Sequence, residues 1–466
     1  MREFVRARAR SDKDFRAKAH QTSQNNLYAA QGKWKAPPPA ASKSCPDALS
    51  NQSRQPRRTY IPVNYIQKAV LLPKPSTGSS RIVDDLASSF ARALGVFYPL
   101  AGRLAVAEVN DGVSGTGLVV SLCCNNKGAE FVHAVAPEVS VSDITAPLYI
   151  PSVLQSFFPL NGLLCGDAIL ECLPVLAAQV TEHSDGIFVA LSLNHAVTDG
   201  TTFWHFFNTW SEIHRNGGRS SVLSTPPPVL ERWFPDTCQV PITLPFSKLE
   251  DAIRRAEFPP VQECFFHFSA ESVKNLKAKA NDEMAGTATS TISSLQAVLA
   301  HLWRAVCRAR GLSPQRETTC LQPIGCRRRM KGVPEEYMGS AVALGVAKST
   351  VGHVLDMGLG WTAWQLNQAV ASFDEARTRE MLTSWYQKPS ILYLEPSREP
   401  ADIIIAGSPR FKPVSARSGP GNKMDGVVTV YEGSTGRGSM ALEVRLSPKA
   451  LAKLSGDKEF MDMLST

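Results

Sequence analysis

Phe188-Val-Ala-Leu-Ser-Leu-Asn-His195-Ala-Val-Thr-Asp199-Gly200-Thr-Thr-Phe-Trp204 carries three signals in a row. Gly186 to Leu193 is an almost continuous apolar run of strand length, the pattern of a strand buried on both faces. A histidine follows at once, then an Asp-Gly turn. Thr201 to Ile213 then repeats apolar residues at helical spacing. A core strand that opens in this way delivers an imidazole to its end, where sheets give way to clefts. A neutral histidine with a pKa near 6.5 accepts a proton at cellular pH. Asp199 stands four residues on, and it can orient the ring, join a structural ion pair or cap the helix. The spacing alone does not choose among these, because a histidine after a strand is often a satisfied structural residue.

The same alternation extends outward. Tyr60 to Leu72 is strand-like and ends at Pro73. Ile82, Leu86, Phe90 and Leu94 recur every four residues and predict a helix. Pro99 to Leu104 reads as a turn into strands, and Leu118 to Cys123 as another buried strand. Asn216-Gly217-Gly218 and Pro226-Pro227-Pro228 open a proline-rich stretch to Pro245, a composition typical of linkers. Beyond it Phe265 to Phe268 is strand-like, and Ile292, Leu295, Leu299, Leu302 and Val306 mark an amphipathic helix. Ser349 to Phe373 reads as a second long helix. Val427 to Tyr431 and Ser439 to Leu446 read as strands, and Ser447-Pro448 as N-cap and first position of a last helix. Both halves mix strands and helices, so the fold class is α/β. The expected division is a basic extension at 1–58, a first domain at 59–215, a linker at 216–248 and a second domain at 249–466.

The 466 residues are 43% apolar and 20% charged, enough core for a globular protein. The formal charge of +8 sits in the extension. Residues 1–58 hold 13 Lys+Arg against 4 Asp+Glu, and the remainder holds 37 against 38. An electroneutral body offers no track for nucleic-acid phosphates. The extension is read either as a disordered tail or mistaken gene start, or as an Arg-rich transit peptide. Glu3, Asp12 and Asp14 oppose the second reading. The most apolar run, Ile169 to Val180, is broken by Glu171 and Pro174, so no membrane span is expected. Ten cysteines without a C-x-x-C pair suit buried thiols in a reducing compartment. The nine histidines show no zinc spacing, and no metal is expected.

Asn194-His-Ala-Val-Thr-Asp-Gly200 resembles the HxxxDG signature of the plant BAHD acyl-CoA-dependent acyltransferases, and other stretches resemble that family in order. These are Asn64 to Pro75, Phe97-Tyr-Pro-Leu-Ala-Gly-Arg-Leu104, Gln179 to Glu182, Ser293 to Arg304, Gly325-Cys-Arg-Arg-Arg329, Tyr337 to Val342 and Arg417 to Gly426. The resemblance covers the chain from about Tyr60 to the end. It implies two chloramphenicol-acetyltransferase-like α/β domains, mixed sheets flanked by helices, with a channel between them. It implies acyl-CoA as co-substrate, no permanently bound cofactor, a small acceptor, and a cytoplasmic monomer. His195 would be the general base, and Asp199 a structural or orienting group paired with an arginine. A lyase or hydrolase reusing the histidine is the alternative chemistry; no G-x-S-x-G elbow is present.

Two positions on the second half are candidates for CoA binding. Arg328, in the run Arg327-Arg328-Arg329, can meet phosphates or form a solvated edge. Ser294, with Gln296, lies on the helix that resembles a CoA-side element, or is an ordinary helix-face residue. Gly433 to Gly438 lies between two strands and reads as a hairpin turn rather than a phosphate cradle. Trp204, Trp210, Trp303, Trp361 and Trp364 read as core. The resembled family carries a DFGWG segment between its SPRF and KPV stretches, whereas here Ser408-Pro-Arg-Phe411 runs directly into Lys412-Pro-Val414. That departure implies a weakened second sheet and a chain of weak or no activity. Ser340 is a smaller departure, standing where the family usually has Asn.

Overall fold

The computed structural model describes residues 49–50, 61–74, 80–110, 116–217, 223–231, 233, 242–391, 393, 400–407, 416–418, 424–433 and 436–464. The junction at Phe411–Lys412 lies outside them. So does the 1–58 extension apart from Leu49–Ser50, called β1, which pairs with Leu122 and Ser121. First-half strands are β2 (Ile66–Pro73), β3 (Arg103–Asn110), β4 (Thr116–Cys123), β5 (Glu130–Ala136), β6 (Leu176–His183) and β7 (Gly186–Leu193). The second half adds β8 (Gln262–Phe268), β9 (Glu317–Gly325), β10 (Val342–Thr350), β11 (Ile403–Ile405), β12 (Ala416–Ser418), β13 (Val427–Glu432) and β14 (Met440–Leu446). Principal helices are α1 (Ser80–Val96), α2 (Gly200–Arg215), α3 (Ala270–Glu283), α4 (Ser294–Arg310), α5 (Val351–Asp356), α6 (Gly358–Ala371) and α7 (Pro448–Ser455).

The described strands form two large mixed sheets and a small one. The first runs β12-β2-β7-β6-β5, with β5–β6 parallel. The second runs β10-β9-β11-β13-β14-β8, with β11 parallel to both neighbours. A three-stranded sheet, β1-β4-β3, completes the set. β7 is central and buried along its whole length. Its alternate residues serve different cores, as a period of two requires. Phe188 and Ala190 pack with Leu154, Phe157 and Phe158 on one side. Ile187, Val189, Leu191 and Leu193 join the large first core under α1 and α2 on the other. This explains why the strand reads as unbroken apolar sequence.

The six-stranded sheet is two-sided in the same sense. Cys264, Phe266 and Phe268 of β8, with Val428, Val430, Leu442 and Val444, face the core beneath α3, α4, α6 and α7. Phe265, Tyr431 and Ala441 turn the other way and pack on the first core. That inner face also carries buried charge. Tyr431 Oη donates to Glu443 (2.7 Å), Arg445 pairs with Glu443 (2.9 Å), and Lys68 Nζ of β2 lies 5.2 Å from the Tyr431 ring centre. Burial pulls the Lys68 amine down to about 8, against the Glu443 charge. The two halves therefore meet through apolar packing and buried charge together.

The described parts of the connecting stretch are strapped down. Glu212 of α2 accepts from the backbone and hydroxyls of Ser224 and Thr225 at 2.5–2.9 Å, which draws its carboxyl down to about 2. Val229 pairs with the Glu336–Met338 backbone, and Leu244 with Leu118 of β4. β12 also crosses the expected division, since Arg417 pairs with Ala69 of β2. The expected helix from Ser349 to Phe373 is corrected. β10 extends to Thr350, which caps α5, and the helix breaks at Gly358. Gly358 has φ +88°, a conformation a side chain disfavours, and a Cβ there would sit 2.9 Å from the Glu283 carboxylate. That carboxylate instead accepts the Gly360 N–H at 2.6 Å and restarts the helix as α6.

Candidate active site

The β7 ladder ends at Leu193, which pairs with Ile66 of β2 and Leu176 of β6. Asn194 turns the chain. Its N–H donates to Val175 O (2.8 Å), its carboxamide oxygen accepts the Ala196 N–H (3.0 Å), and its amide donates to Cys165 O (3.0 Å). An Asx turn of this kind gives the backbone a partner where the ladder stops. His195 follows half-buried, its backbone N–H donating to Cys165 Sγ at 3.1 Å.

The His195 ring is oriented by its own loop. Nδ1 lies 3.0 Å from Thr198 O. A carbonyl only accepts, so Nδ1 carries the proton and the neutral ring has its lone pair on Nε2. Burial lowers the His195 pKa from its ordinary value; the Thr198 carbonyl and the Asp199 charge pull the other way and are outweighed. The lowered pKa favours the neutral form of the ring.

Asp199 caps α2 and ties the halves together. Oδ1 accepts from Thr201 and Thr202 N–H, both at 3.1 Å. Oδ2 accepts from Ala341 N–H at 2.9 Å. Arg327 closes a two-pronged pair on the same carboxylate, Nη1 to Oδ2 at 2.7 Å and Nη2 to Oδ1 at 3.0 Å, with both side chains at most 5% exposed. Arg327 also reaches Tyr337 O and Gly339 O (both 2.9 Å) and Thr202 Oγ1 (3.2 Å). Burial alone would raise the Asp199 carboxyl, but Arg327 and the backbone donors outweigh it and hold the pKa below the usual carboxylate range. Ser340, between two of these partners, is 3% exposed, and its Oγ finds no partner among the described residues.

The structure thus brings His195 and Asp199 together with Arg327. Arg328, next in sequence, points elsewhere. Its side chain is 75% exposed and pairs with Glu335. Ser294 is half-buried in the first turn of α4, while Gln296 completes a capping box with Ser293. Trp204, Trp210 and Trp303 are buried, and Trp361 and Trp364 are partly so. Sequence reasoning passed over Cys165, Thr202 and the identity of the arginine. The Gly325 to Arg329 stretch held the signal for the last, but a run of three arginines does not say which one folds inward. Among the described residues no group of three or more His, Cys, Asp or Glu side chains gathers as a metal site, and no helix is long and apolar enough to cross a membrane.

A strand-end imidazole beside two large mixed sheets tied by a buried ion pair makes this an α/β protein. Two solved structures share that fold. F. sporotrichioides TRI101, in complex with coenzyme A and T-2, superposes with a TM-score of 0.68 at 17% identity over 90% of this chain and 98% of its own. Vinorine synthase gives a TM-score of 0.64 at 17% identity, covering 92% and 96%. The profile of the Transferase family matches residues 59–461. An uncharacterized acetyltransferase of Arabidopsis thaliana is 34% identical over 86% of this chain and 91% of its own length. The chain therefore belongs to the plant BAHD family of acyl-CoA-dependent acyltransferases.

Proposed function

We propose that the protein moves an acyl group from acyl-CoA to a hydroxyl or amine of a small metabolite, with His195 as general base. Nε2 takes the acceptor proton as the oxygen or nitrogen attacks the thioester carbonyl. The tetrahedral oxyanion collapses, the C–S bond breaks, and the imidazolium returns its proton to the CoA thiolate. Holding both reactants beside one ring supplies the proximity effect. The observation that carries this reading is the Nδ1–Thr198 O bond, which leaves the basic lone pair on Nε2 of a ring kept neutral by burial. Asp199 is proposed to keep the loop in place through α2 and Arg327 rather than to move protons.

Likeness to an acetyltransferase makes acetyl-CoA the first donor to try, and the coenzyme A complex of TRI101 supports a CoA thioester. Ser294 and Arg328 are the proposed CoA contacts, with a phosphate displacing Glu335 from the exposed guanidinium. The test is thiol release from acetyl-, malonyl- and aromatic acyl-CoA with a panel of alcohols and amines. His195→Ala should lower turnover by about 10²–10⁴-fold without changing the melting temperature. Unchanged turnover would remove His195 from the mechanism.

One sequence feature favours a second reading. The direct run from Phe411 to Lys412, where the family carries DFGWG, points to a chain that binds its ligands with little turnover. Inserting that segment and repeating the assay separates the two readings. A rise in activity supports impairment, and equal activity with and without it rejects it.

A further inference from the structure

Beneath the His195 loop lies a second loop, 163–167, whose Cys165 sulfur accepts the His195 N–H. It is pinned from several directions. Cys165 N–H donates to Val63 O (2.7 Å) and Gly166 N–H to Ile61 O (2.8 Å). Gly166 has no room for a side chain, since a Cβ would meet Ile253 at 2.5 Å and Ile61 at 2.9 Å. Asp167 closes the loop by accepting the Leu164 N–H at 2.8 Å. The carboxylate is fully buried, and its cation comes from outside the first half. Arg255, just past the connecting stretch, grips it with Nη2 on Oδ1 and Nη1 on Oδ2, the latter at 3.3 Å.

We infer that Asp167 and Arg255 are a positioning pair for the base: by locking loop 163–167, whose Cys165 sulfur and carbonyl hold His195 N–H and the Asn194 amide, they fix where the imidazole points. A buried carboxylate whose paired cation is removed becomes an uncompensated charge, and the loop around it must open or rearrange. The first groups to move are those the loop holds, namely the backbone of His195 and the side chain of Asn194. The pair also connects the segment entering the second half to the base, independently of the Asp199–Arg327 knot. This inference rests on the reading of His195 as base, but its test does not need turnover.

Full-length protein with ¹⁵N-labelled histidine is compared as wild type, Asp167→Asn, Arg255→Gln and Arg255→Lys. The His195 ring signals are assigned by their loss in His195→Ala. In Asp167→Asn and Arg255→Gln the Nδ1–H should exchange with water about tenfold faster, and the two ring nitrogens should shift toward averaged tautomers. Arg255→Lys, which keeps a charged bond, should lie between Gln and wild type. If Asp167→Asn does not fold, Arg255→Gln carries the test, because its side chain is half-exposed and its removal leaves no cavity. His195 signals that coincide with wild type in folded variants overturn the inference, as does a lysine variant no better than glutamine. Failure of the base reading shows separately, as undiminished transfer by His195→Ala.

Discussion

Arg327 and Arg328 are neighbours in one basic run, and each holds a carboxylate, yet they live in different physical worlds. Arg327 and Asp199 are at most 5% exposed and belong to opposite halves of the chain, with every prong of the guanidinium on an oxygen of the site. Arg328 and Glu335 are 75% and 51% exposed and belong to the same short stretch. In the buried pair, solvent cannot replace a lost partner, so the remaining charge is stranded. In the exposed pair water does replace it, and salt screens what attraction there is. Charge complementarity is the same in both; the surroundings decide whether it is structural.

The sharpest way to break this contrast is Arg327→Met. Leaving Asp199 buried without its cation should lower stability by about 3–5 kcal/mol, measured by chemical denaturation. Asp199→Asn should be destabilising too, and the double variant less so than the sum, because the two act as one unit. Additive effects would show that the knot is not a unit. A smaller step is Thr202→Val, which strips a hydroxyl shared by Arg327 and the Gly339 backbone (both Gly339 contacts at 3.3 Å) and should remove about 1–3 kcal/mol. Ser340→Ala should be neutral or slightly stabilising, since it deletes a buried hydroxyl that no described residue satisfies. At the low end, Arg328→Ala should leave the melting temperature where it is and raise only the KM for acyl-CoA. A kcat effect instead would remove it from CoA binding.

Acid gives the same comparison a second axis. The folded-state pKa of Asp199 is depressed, so its stabilisation is full above the unfolded carboxyl value of about 3.9 and is lost as pH falls through the folded value. Asp199→Asn should therefore flatten the acid side of the stability curve below about pH 4. His195 is depressed as well, so the acid limb of kcat/KM should lie below about pH 6.5. A limb at or above that value would mean the ring is more hydrated than its burial indicates.

Much of this was legible in the order of residues. The Gly186–Leu193 strand, the histidine at its end and the helix from Gly200 follow from apolar run length, period and the Asp-Gly turn, all of them local. The helix through Leu299 and Val306 was equally plain. The helix expected across Ser349 to Phe373 was not, because Thr350 sits on the β10 ladder beside β9 and Gly358 turns with positive φ against Glu283. Strand pairing with a distant partner and a close approach from α3 are not local properties. Cys165 and Asp167 escaped notice for the same reason, being 30 and 28 positions before His195.

The sequence by itself determined which chemistry is available: an imidazole delivered to a strand end, with an aspartate placed to start the next helix. That much follows from backbone periodicity and side-chain type, which act within a few residues. Tertiary structure decided which of three arginines meets Asp199, and that Arg255 reaches the buried Asp167 beneath the His195 loop. Those outcomes depend on desolvation and on partners brought from far along the chain, and only the packed halves supply both.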